Sequence, residues 1–305
     1  MNQKSNSGNN KGNFIISNLF FVLLLISVNS LNAQKKEKWK LVWKEEFNYT
    51  GLPNPKKWGY EVGHIRNNEQ QYYTNARKEN VWVSNGVLSI TGRKEIYPNE
   101  SFKKGSEDWK TKDSTAQYTS ASINTLGKAV PIVIGRKYGR IEVKAKLPHG
   151  GGIWPAIWMM GTNRTEVGWP KCGEIDVMEF IGNQPKNIYG TIHYPDPIAK
   201  GNKSNGNKII AENLDSDFHV YAIEWNEQTI DIYFNDNKYH SFSIDTAGEG
   251  VDNPFRKPFY LLLNLAMGAN WPGPIDDTIL PQQFLVDYVR VYQKNNLDST
   301  KYTPI

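Results

Sequence analysis

Three carboxylates lie within six positions of the segment 172–180, CGEIDVMEF: Glu174, Asp176 and Glu179. Like charges held close together in a partly dry site repel each other, and burying an ionised carboxylate costs free energy unless something compensates for it. Two carboxylic acids on either side of one bond are what glycoside hydrolysis requires. The residue types also fit a solvated edge strand or a cation site, so the spacing alone leaves these alternatives open.

The positions of the acids along the strand predict an irregularity. On a regular strand Glu174 and Asp176 share a face, whereas Glu179 points the other way. One extra residue, a β-bulge, would bring Glu179 round to the same face. The apolar neighbours would then face the sheet interior: Ile175, Val177 and Met178. We therefore predict a bulged strand on which three acids converge.

Other short apolar or alternating segments, bounded by Gly, Pro, Asn and Asp, predict the elements that position these acids. Predicted strands are Val81–Ser84, Val87–Thr91, Arg140–Leu147, Glu174–Phe180, Ile188–Tyr194, His219–Trp225, Thr229–Phe234, Phe259–Leu265 and Phe284–Tyr292. Strands of this length indicate an all-β sandwich or barrel. Long polar loops are predicted at Glu95–Gln117, Thr162–Lys171 and Asp196–Asp217, where they would rim a binding face.

Side chains near the acids are candidates for substrate contacts. A hairpin centred near Gln184 would place His193 roughly opposite Ile175, where it could bind the sugar or simply pack on the sheet. Trp154 and Trp158 share one face of a strand. Their indoles form either a floor for sugar rings or a core aromatic pair.

Two further charged residues and the single cysteine complete the candidates. Arg140 and Glu142 could lie in the cleft or in plain solvent. Asp287 alternates with Leu285, Val289 and Val291, and such a lone acid needs a cation or hydrogen-bond donors. Cys172 has no partner with which to form an internal disulfide, so we interpret it as a packing residue.

The first part of the 305-residue chain predicts export. Lys4 and Lys11 precede an apolar run that ends near Ala33, which is typical of a secretory signal. We expect a signal peptide at 1–33, one catalytic domain at 34–305, and a periplasmic or extracellular protein. An uncleaved anchor is the alternative, although the run is shorter than the ~20 residues of a spanning helix. The mature chain has a formal charge of only +3 without a basic stripe, which argues against nucleic-acid binding.

The motif Glu-Ile-Asp-Val-Met-Glu, preceded by Gly-Trp-Pro-Lys-Cys-Gly, closely resembles the signature of glycoside hydrolase family 16 in its laminarinase-like branch. The resemblance runs from about Trp43 to Gln293 and includes NNEQQYYT at 67–74, WPAIWMMG at 154–161 and VDYVRVYQ at 286–293. It implies a β-jelly-roll sandwich with a concave cleft and hydrolysis with retention of configuration. By this resemblance Glu174 is the nucleophile, Glu179 the acid/base and Asp176 the assisting carboxylate.

The resemblance also implies contacts outside the acidic motif. It assigns Asn67, His193 and Trp271 to the substrate. It further implies a structural calcium ion held by Glu46, Asp287 and a backbone carbonyl near Gly86, with no cofactor for catalysis. Ala269 departs from the pattern, since related sequences often have a second glycine at this position.

The expected substrate is a polysaccharide or glycan, most simply a β-1,3-glucan cut internally. An endo-β-galactosidase acting on host or mucin glycans and a mixed-linkage β-1,3/1,4-glucanase are alternatives, because these enzymes differ in their loops rather than in their acids. A non-catalytic carbohydrate-binding module on the same sandwich is an alternative of another class, which retention of both Glu174 and Glu179 disfavours. An open cleft needs no partner subunit, so we expect a monomer.

Overall fold

The alternation of apolar and polar residues forms strands over most of the chain. The computed structural model describes residues 39–132, 138–196, 198–199 and 201–294, so the predicted signal peptide lies outside the described residues. The strands are β1 (Trp39–Glu45), β2 (Gly59–Glu61), β3 (Gln71–Tyr73), β4 (Val81–Ser84), β5 (Val87–Pro98), β6 (Thr115–Ser120), β7 (Ser122–Asn124), β8 (Gly139–Lys146), β9 (Ile153–Gly161), β10 (Glu174–Glu179), β11 (Asn187–Pro195), β12 (Asn202–Ile210), β13 (His219–Trp225), β14 (Thr229–Phe234), β15 (Asn237–Ser243), β16 (Phe259–Met267) and β17 (Gln282–Lys294).

Helical structure in the described ranges is limited to single turns. One turn of α-helix, α1, spans Arg164–Val167, and 3-10 turns lie at Ile244–Ala247, Gly250–Asp252, Pro254–Arg256 and Asp277–Ile279. No helix among these residues is long and apolar enough to cross a bilayer.

The strands form two sheets that pack as a sandwich. The larger sheet runs β15-β14-β13-β8-β17-β5-β6-β3, with β1 beside β17 and β4 beside β5. The smaller sheet runs β12-β11-β10-β9-β16-β7-β2. All pairings are antiparallel except that of β3 with β6. This confirms the predicted all-β jelly-roll architecture.

The apolar core lies between the two sheets. On β8 the side chains of Ile141, Val143 and Ala145 are buried, whereas the residues between them are partly exposed. β16 is buried along its whole length because both of its faces are covered. Leu261 and Leu263 face the main core, whereas Tyr260 and Leu262 join a second buried cluster with Trp158. The centre of the smaller sheet is therefore packed on both faces of β9 and β16.

Eight of the nine predicted strands were found within two residues at each end, whereas β5 is seven residues longer than predicted and the predicted loops were partly wrong. The stretch Asp196–Asp217 contains β12, an exposed strand that pairs with β11 along nine residues. β5 continues to Pro98, which shortens the loop predicted at Glu95–Gln117. Polar composition concealed β12, since its residues alternate between two exposed faces rather than between core and solvent.

A bulge in β17 changes the side of the sheet on which Asp287 lies. The register of β17 against β8 shifts between Val286 and Tyr288. Val286 and Val289 are therefore both buried, while Asp287 is partly exposed and lies 2.8 Å from Lys144 Nζ. The prediction that Asp287 shares the face of Val289 and Val291 was wrong, because regular alternation does not hold across a bulge.

Candidate active site

The three carboxylates of β10 converge on one cleft. The register of β10 against β9 shifts between Asp176 and Met178, so one extra residue is accommodated there. Glu174, Asp176 and Glu179 all line the same cleft. The residues between them are buried in the main core: Ile175, Val177 and Met178. The predicted bulge is confirmed, and it gives the three acids a common face.

Burial and mutual repulsion favour the protonated forms of two of these acids. The side chain of Asp176 is only 4% exposed. Burial, followed by the charge of Glu174 and a hydrogen bond with it, raises the pKa of Asp176 well above its usual range. Burial also raises the pKa of Glu179, and the charges of Asp176 and Glu174 add to this effect. A carboxyl group that keeps its proton near neutral pH can act as a general acid.

Two indole N–H groups hold the glutamates. Trp154 Nε1 donates to Glu179 Oε1 at 3.2 Å. Trp169 Nε1 donates to Glu174 Oε2 at 2.8 Å. Sequence reasoning missed Trp169 because it assigned the segment 162–171 to a polar rim. The available signal was a tryptophan five residues before the first acid.

His193 lies beside the acids, one position from its predicted register. It pairs with Glu174 across β10 and β11, whereas the predicted neighbour was Ile175. Its Nε2 is 3.3 Å from Asp176 Oδ2. Asp176 Oδ2 has no hydrogen-bond partner among the described residues. The imidazole therefore contacts Asp176 Oδ2 without forming a hydrogen bond to it.

The aromatic part of the cleft differs from the predicted pair of indoles. Trp158 lines the cleft, but the Arg66 guanidinium lies over its ring at 4.9 Å and its Nε1 donates to Asn264. Trp158 therefore does not offer a bare face for sugar stacking. Trp271 is 40% exposed and meets Trp154 edge to face at 5.2 Å between ring centroids. It also contacts Tyr189.

A polar network forms one end of the cleft. Asn67 lines the cleft as predicted, and its Nδ2 donates to Glu69 Oε1 at 3.3 Å. Glu69 is buried and accepts hydrogen bonds from Gln71 and Tyr73, while burial raises its pKa. Arg66 is paired with Glu61 in the same region. Sequence reasoning missed both Arg66 and Glu69. The side-chain partners of Glu69 are only two to four positions away, whereas Arg66 also reaches the Trp158 ring on β9, a contact that only the folded chain forms.

The comparisons with known proteins identify the family. The profile described as Glycosyl hydrolases family 16 matches residues 68–290. The chain belongs to glycoside hydrolase family 16. It is therefore a retaining endo-β-glycanase by family, which agrees with the paired carboxylates in its cleft.

Similar proteins within the family act on different glycans. A β-glucanase of Rhodothermus marinus is 39% identical over an alignment of 287 positions, and the match covers 90% of this chain and 93% of that protein. The structure of the laminarinase from R. marinus is 40% identical with a TM-score of 0.71, covering 85% of this chain and 99% of that one. The structure of an endo-acting O-glycanase, expressed by prominent members of the human gut microbiota to initiate mucin breakdown, is also 40% identical. Its TM-score is 0.77, and the match covers 84% of this chain and 91% of that one.

Arg140 of this family 16 chain lies outside the cleft. It belongs to β8 in the larger sheet, whereas the acids belong to the smaller sheet. Its guanidinium pairs with Glu142 and Glu224 and lies over the Tyr233 ring. The alternative that placed Arg140 in the cleft was wrong, because residues 140 and 142 form a charged network on the side of β8 that faces away from the core.

The residues expected to hold calcium do not fit a shared cation site. Both oxygens of Glu46 accept hydrogen bonds from Arg290 at 2.9 Å. Asp287 is paired with Lys144, and Gly86 adopts a left-handed turn with φ 77° beside Asn48. Each carboxylate is thus bound to a cationic side chain rather than directed at a common point. Calcium binding at these residues stays a prediction.

Proposed function

We propose that the protein cleaves β-glycan chains internally by double displacement. Glu174 attacks the anomeric carbon while Glu179 donates its proton to the leaving oxygen, which forms a covalent glycosyl-enzyme ester. Glu179 then takes a proton from water, and that water breaks the ester with overall retention of configuration. The observation that carries this proposal is the bulge in β10, which places both glutamates in one cleft with Asp176 between them.

The environments of the two glutamates support this division of roles. Glu174 accepts a 2.8 Å hydrogen bond from Trp169 Nε1, which orients its carboxylate. The pKa of Glu179 is raised by burial and by the neighbouring acids, which favours the proton that a leaving group needs. Asp176 lies between them and shares a hydrogen bond with Glu174. One side chain is thus held as a nucleophile and the other as an acid.

We further propose β-1,3-glucan as the substrate. The β-glucanase and laminarinase of R. marinus match nearly the full length of the described chain and support this choice. The second candidate is a mucin-type O-glycan, which is supported by the higher TM-score of the O-glycanase structure. Both candidates use the same acids, so only the walls of the cleft distinguish them.

The proposal is tested with Glu174→Gln and Glu179→Gln, each of which keeps the side-chain shape but removes the acid. Laminarin, barley β-glucan, agarose, carrageenan and mucin O-glycans are incubated with each protein, and the released oligosaccharides are profiled. We expect oligosaccharides from laminarin with the wild type and losses of at least about 10³-fold in both variants. Glu166→Gln, a change on α1 outside the cleft, is the matched control.

The outcomes separate the candidates. Products from mucin O-glycans with none from laminarin would replace the first substrate by the second. Hydrolysis by Glu174→Gln at the wild-type rate would remove Glu174 from the nucleophile role. Binding of any of these glycans without products from the wild type would indicate a carbohydrate-binding module instead of an enzyme.

A further inference from the structure

The acidic cluster includes three side chains that could together hold a metal ion. Glu174, Asp176 and His193 each offer one ligating atom, and these three atoms lie within 4.8 Å of one another. Two carboxylates and one imidazole, with a fourth position open to water, are a donor set that zinc accepts. The hydrolytic reaction proposed above uses the carboxylates but requires no metal.

The contact between His193 and Asp176 is the main indication of a metal site. The 3.3 Å separation of Nε2 and Oδ2 is short enough for a hydrogen bond, yet Oδ2 has no hydrogen-bond partner among the described residues. The Asp176 side chain is 96% buried, so water does not satisfy this oxygen freely. With metal–ligand bonds of ~2.0–2.1 Å, two ligands of a tetrahedral zinc ion lie about 3.3 Å apart. The observed separation therefore equals one edge of a zinc coordination tetrahedron.

The surrounding charges also favour a cation. Three carboxylates line this part of the cleft. The imidazole selects against magnesium and calcium, which prefer oxygen ligands.

We propose that Glu174, Asp176 and His193 form a binding site for a divalent cation of the zinc class. Binding would occupy the lone pairs of Glu174 and exclude sugar from the centre of the cleft. Zinc would therefore inhibit the enzyme reversibly. Zinc binding does not depend on which glycan is cleaved. Inhibition by zinc, in contrast, rests on the proposed role of Glu174 as the nucleophile.

Binding is tested by calorimetric titration of the protein with zinc chloride in the absence of any glycan. We expect one zinc ion per chain for the wild type. His193→Gln and Asp176→Asn should each weaken binding by at least about tenfold, since each removes one of three ligands. Two site variants are used so that a folding defect in one, detected by circular dichroism before titration, leaves the other informative.

The matched control is His149→Gln. His149 also faces a carboxylate, with Nδ1 3.7 Å from Asp215 Oδ2, but both side chains are more than half exposed. Zinc binding should be unchanged in this variant, and magnesium chloride should give no binding to the wild type. Weaker zinc binding in a folded site variant, with the control unchanged, supports the site.

Two results would overturn the proposal. One is the absence of zinc binding by the wild type at millimolar zinc, and the other is unchanged binding in both site variants. Inhibition is measured separately, with laminarin or the substrate found in the panel, and should be reversed by a chelator. If zinc binds but hydrolysis continues, the metal site stands and the assignment of Glu174 as nucleophile fails.

Discussion

At the scale of single residues, the cleft depends on the environments of its acids rather than on their number. Glu174, Asp176 and Glu179 are within six positions of one strand, yet each has different partners: an exposed indole, a buried neighbouring acid and a second indole. Separate environments allow chemically similar groups to take different roles in one reaction.

Asp176→Asn should change the pH dependence of hydrolysis. The charge of Asp176 raises the pKa of Glu179, so its removal lowers that pKa. Since Glu179 must be protonated to act as the acid, the alkaline limb of kcat/KM should move to lower pH. The pH profile of kcat/KM is the measurement. Asp215→Asn, outside the cleft, should leave the limb in place, and an unmoved limb in Asp176→Asn would contradict the assigned coupling.

Trp169→Phe should slow the reaction more than it weakens binding. The change keeps an aromatic ring but removes the N–H that donates to Glu174 Oε2. The indole is 45% exposed, so solvent screens part of the loss, and we expect kcat to fall about tenfold or less. Steady-state kcat and KM on the same oligosaccharide measure the effect. Trp109→Phe, which changes an indole outside the cleft-lining set, is the control; equal loss in both would indicate a general packing defect.

The positions of the acids could be predicted from the sequence because strand parity plus one bulge determines them locally. The covering of the Trp158 ring by Arg66 could not be predicted from the sequence. The position of Trp158 on the cleft face of β9 follows from alternation, but Arg66, which covers its ring, comes from a segment about ninety positions earlier. Only the folded chain brings these two side chains together.

At the scale of elements, the end of β10 packs very closely against the segment that precedes β9. A Cβ atom at Gly182 would lie 2.0 Å from the Gly150 carbonyl oxygen. Gly182 N–H also donates to Ile153 O at 2.8 Å, just before Trp154. The close approach of two backbones therefore helps to position both a catalytic strand and an aromatic wall of the cleft.

Gly182→Ala should destabilise the fold by about 1–3 kcal/mol, because the added methyl group forces two backbones apart. Thermal unfolding should show a lower Tm, by about 2–4 °C for each kcal/mol. Gly201→Ala is the matched control, since a Cβ atom there meets nothing within 4 Å, and its Tm should change little. A Tm for Gly182→Ala equal to that of the control would contradict the close contact.

Whether a strand could be predicted from the sequence depended on whether one of its faces is buried in the core. Strands with one face in the core, such as β8 and β11, alternate clearly and were found in the sequence. β12 has two exposed faces and was missed, and the bulge in β17 reversed the predicted side of Asp287. Both β12 and the bulge in β17 are defined by hydrogen bonds to a neighbouring strand. The order of apolar and polar side chains does not reveal such hydrogen bonds.

At the scale of the whole molecule, stability should depend on the protonation of the cleft. The folded-state pKa values of Asp176 and Glu179 are raised above their unfolded values, which are about 3.9 and 4.3. Their contribution to stability is thus complete below about pH 4 and is lost as pH rises through the raised values. Glu46 and Glu95, whose pKa values are lowered by arginine partners, contribute with the opposite sign.

A comparison of the wild type with the double variant Asp176→Asn/Glu179→Gln isolates the cleft. Contributions from the other carboxyl groups are common to both proteins. The variant should be more stable at pH 8, by at least about 1 kcal/mol, and this advantage should shrink as pH falls towards 4. Denaturant unfolding at several pH values is the measurement. A constant difference across this range would show that the native state does not hold these protons.

The position of β17 has a consequence for how the chain reaches its native state. This final described strand lies in the interior of the larger sheet, with β8 along one edge and β5 and then β1 along the other. Contacts between such distant segments form slowly, because loop closure must precede them. Until the ribosome has released Gln282–Lys294, the strands that flank β17 lack their common neighbour. Completion of the larger sheet should therefore wait for β17 and be late in the folding of the described chain.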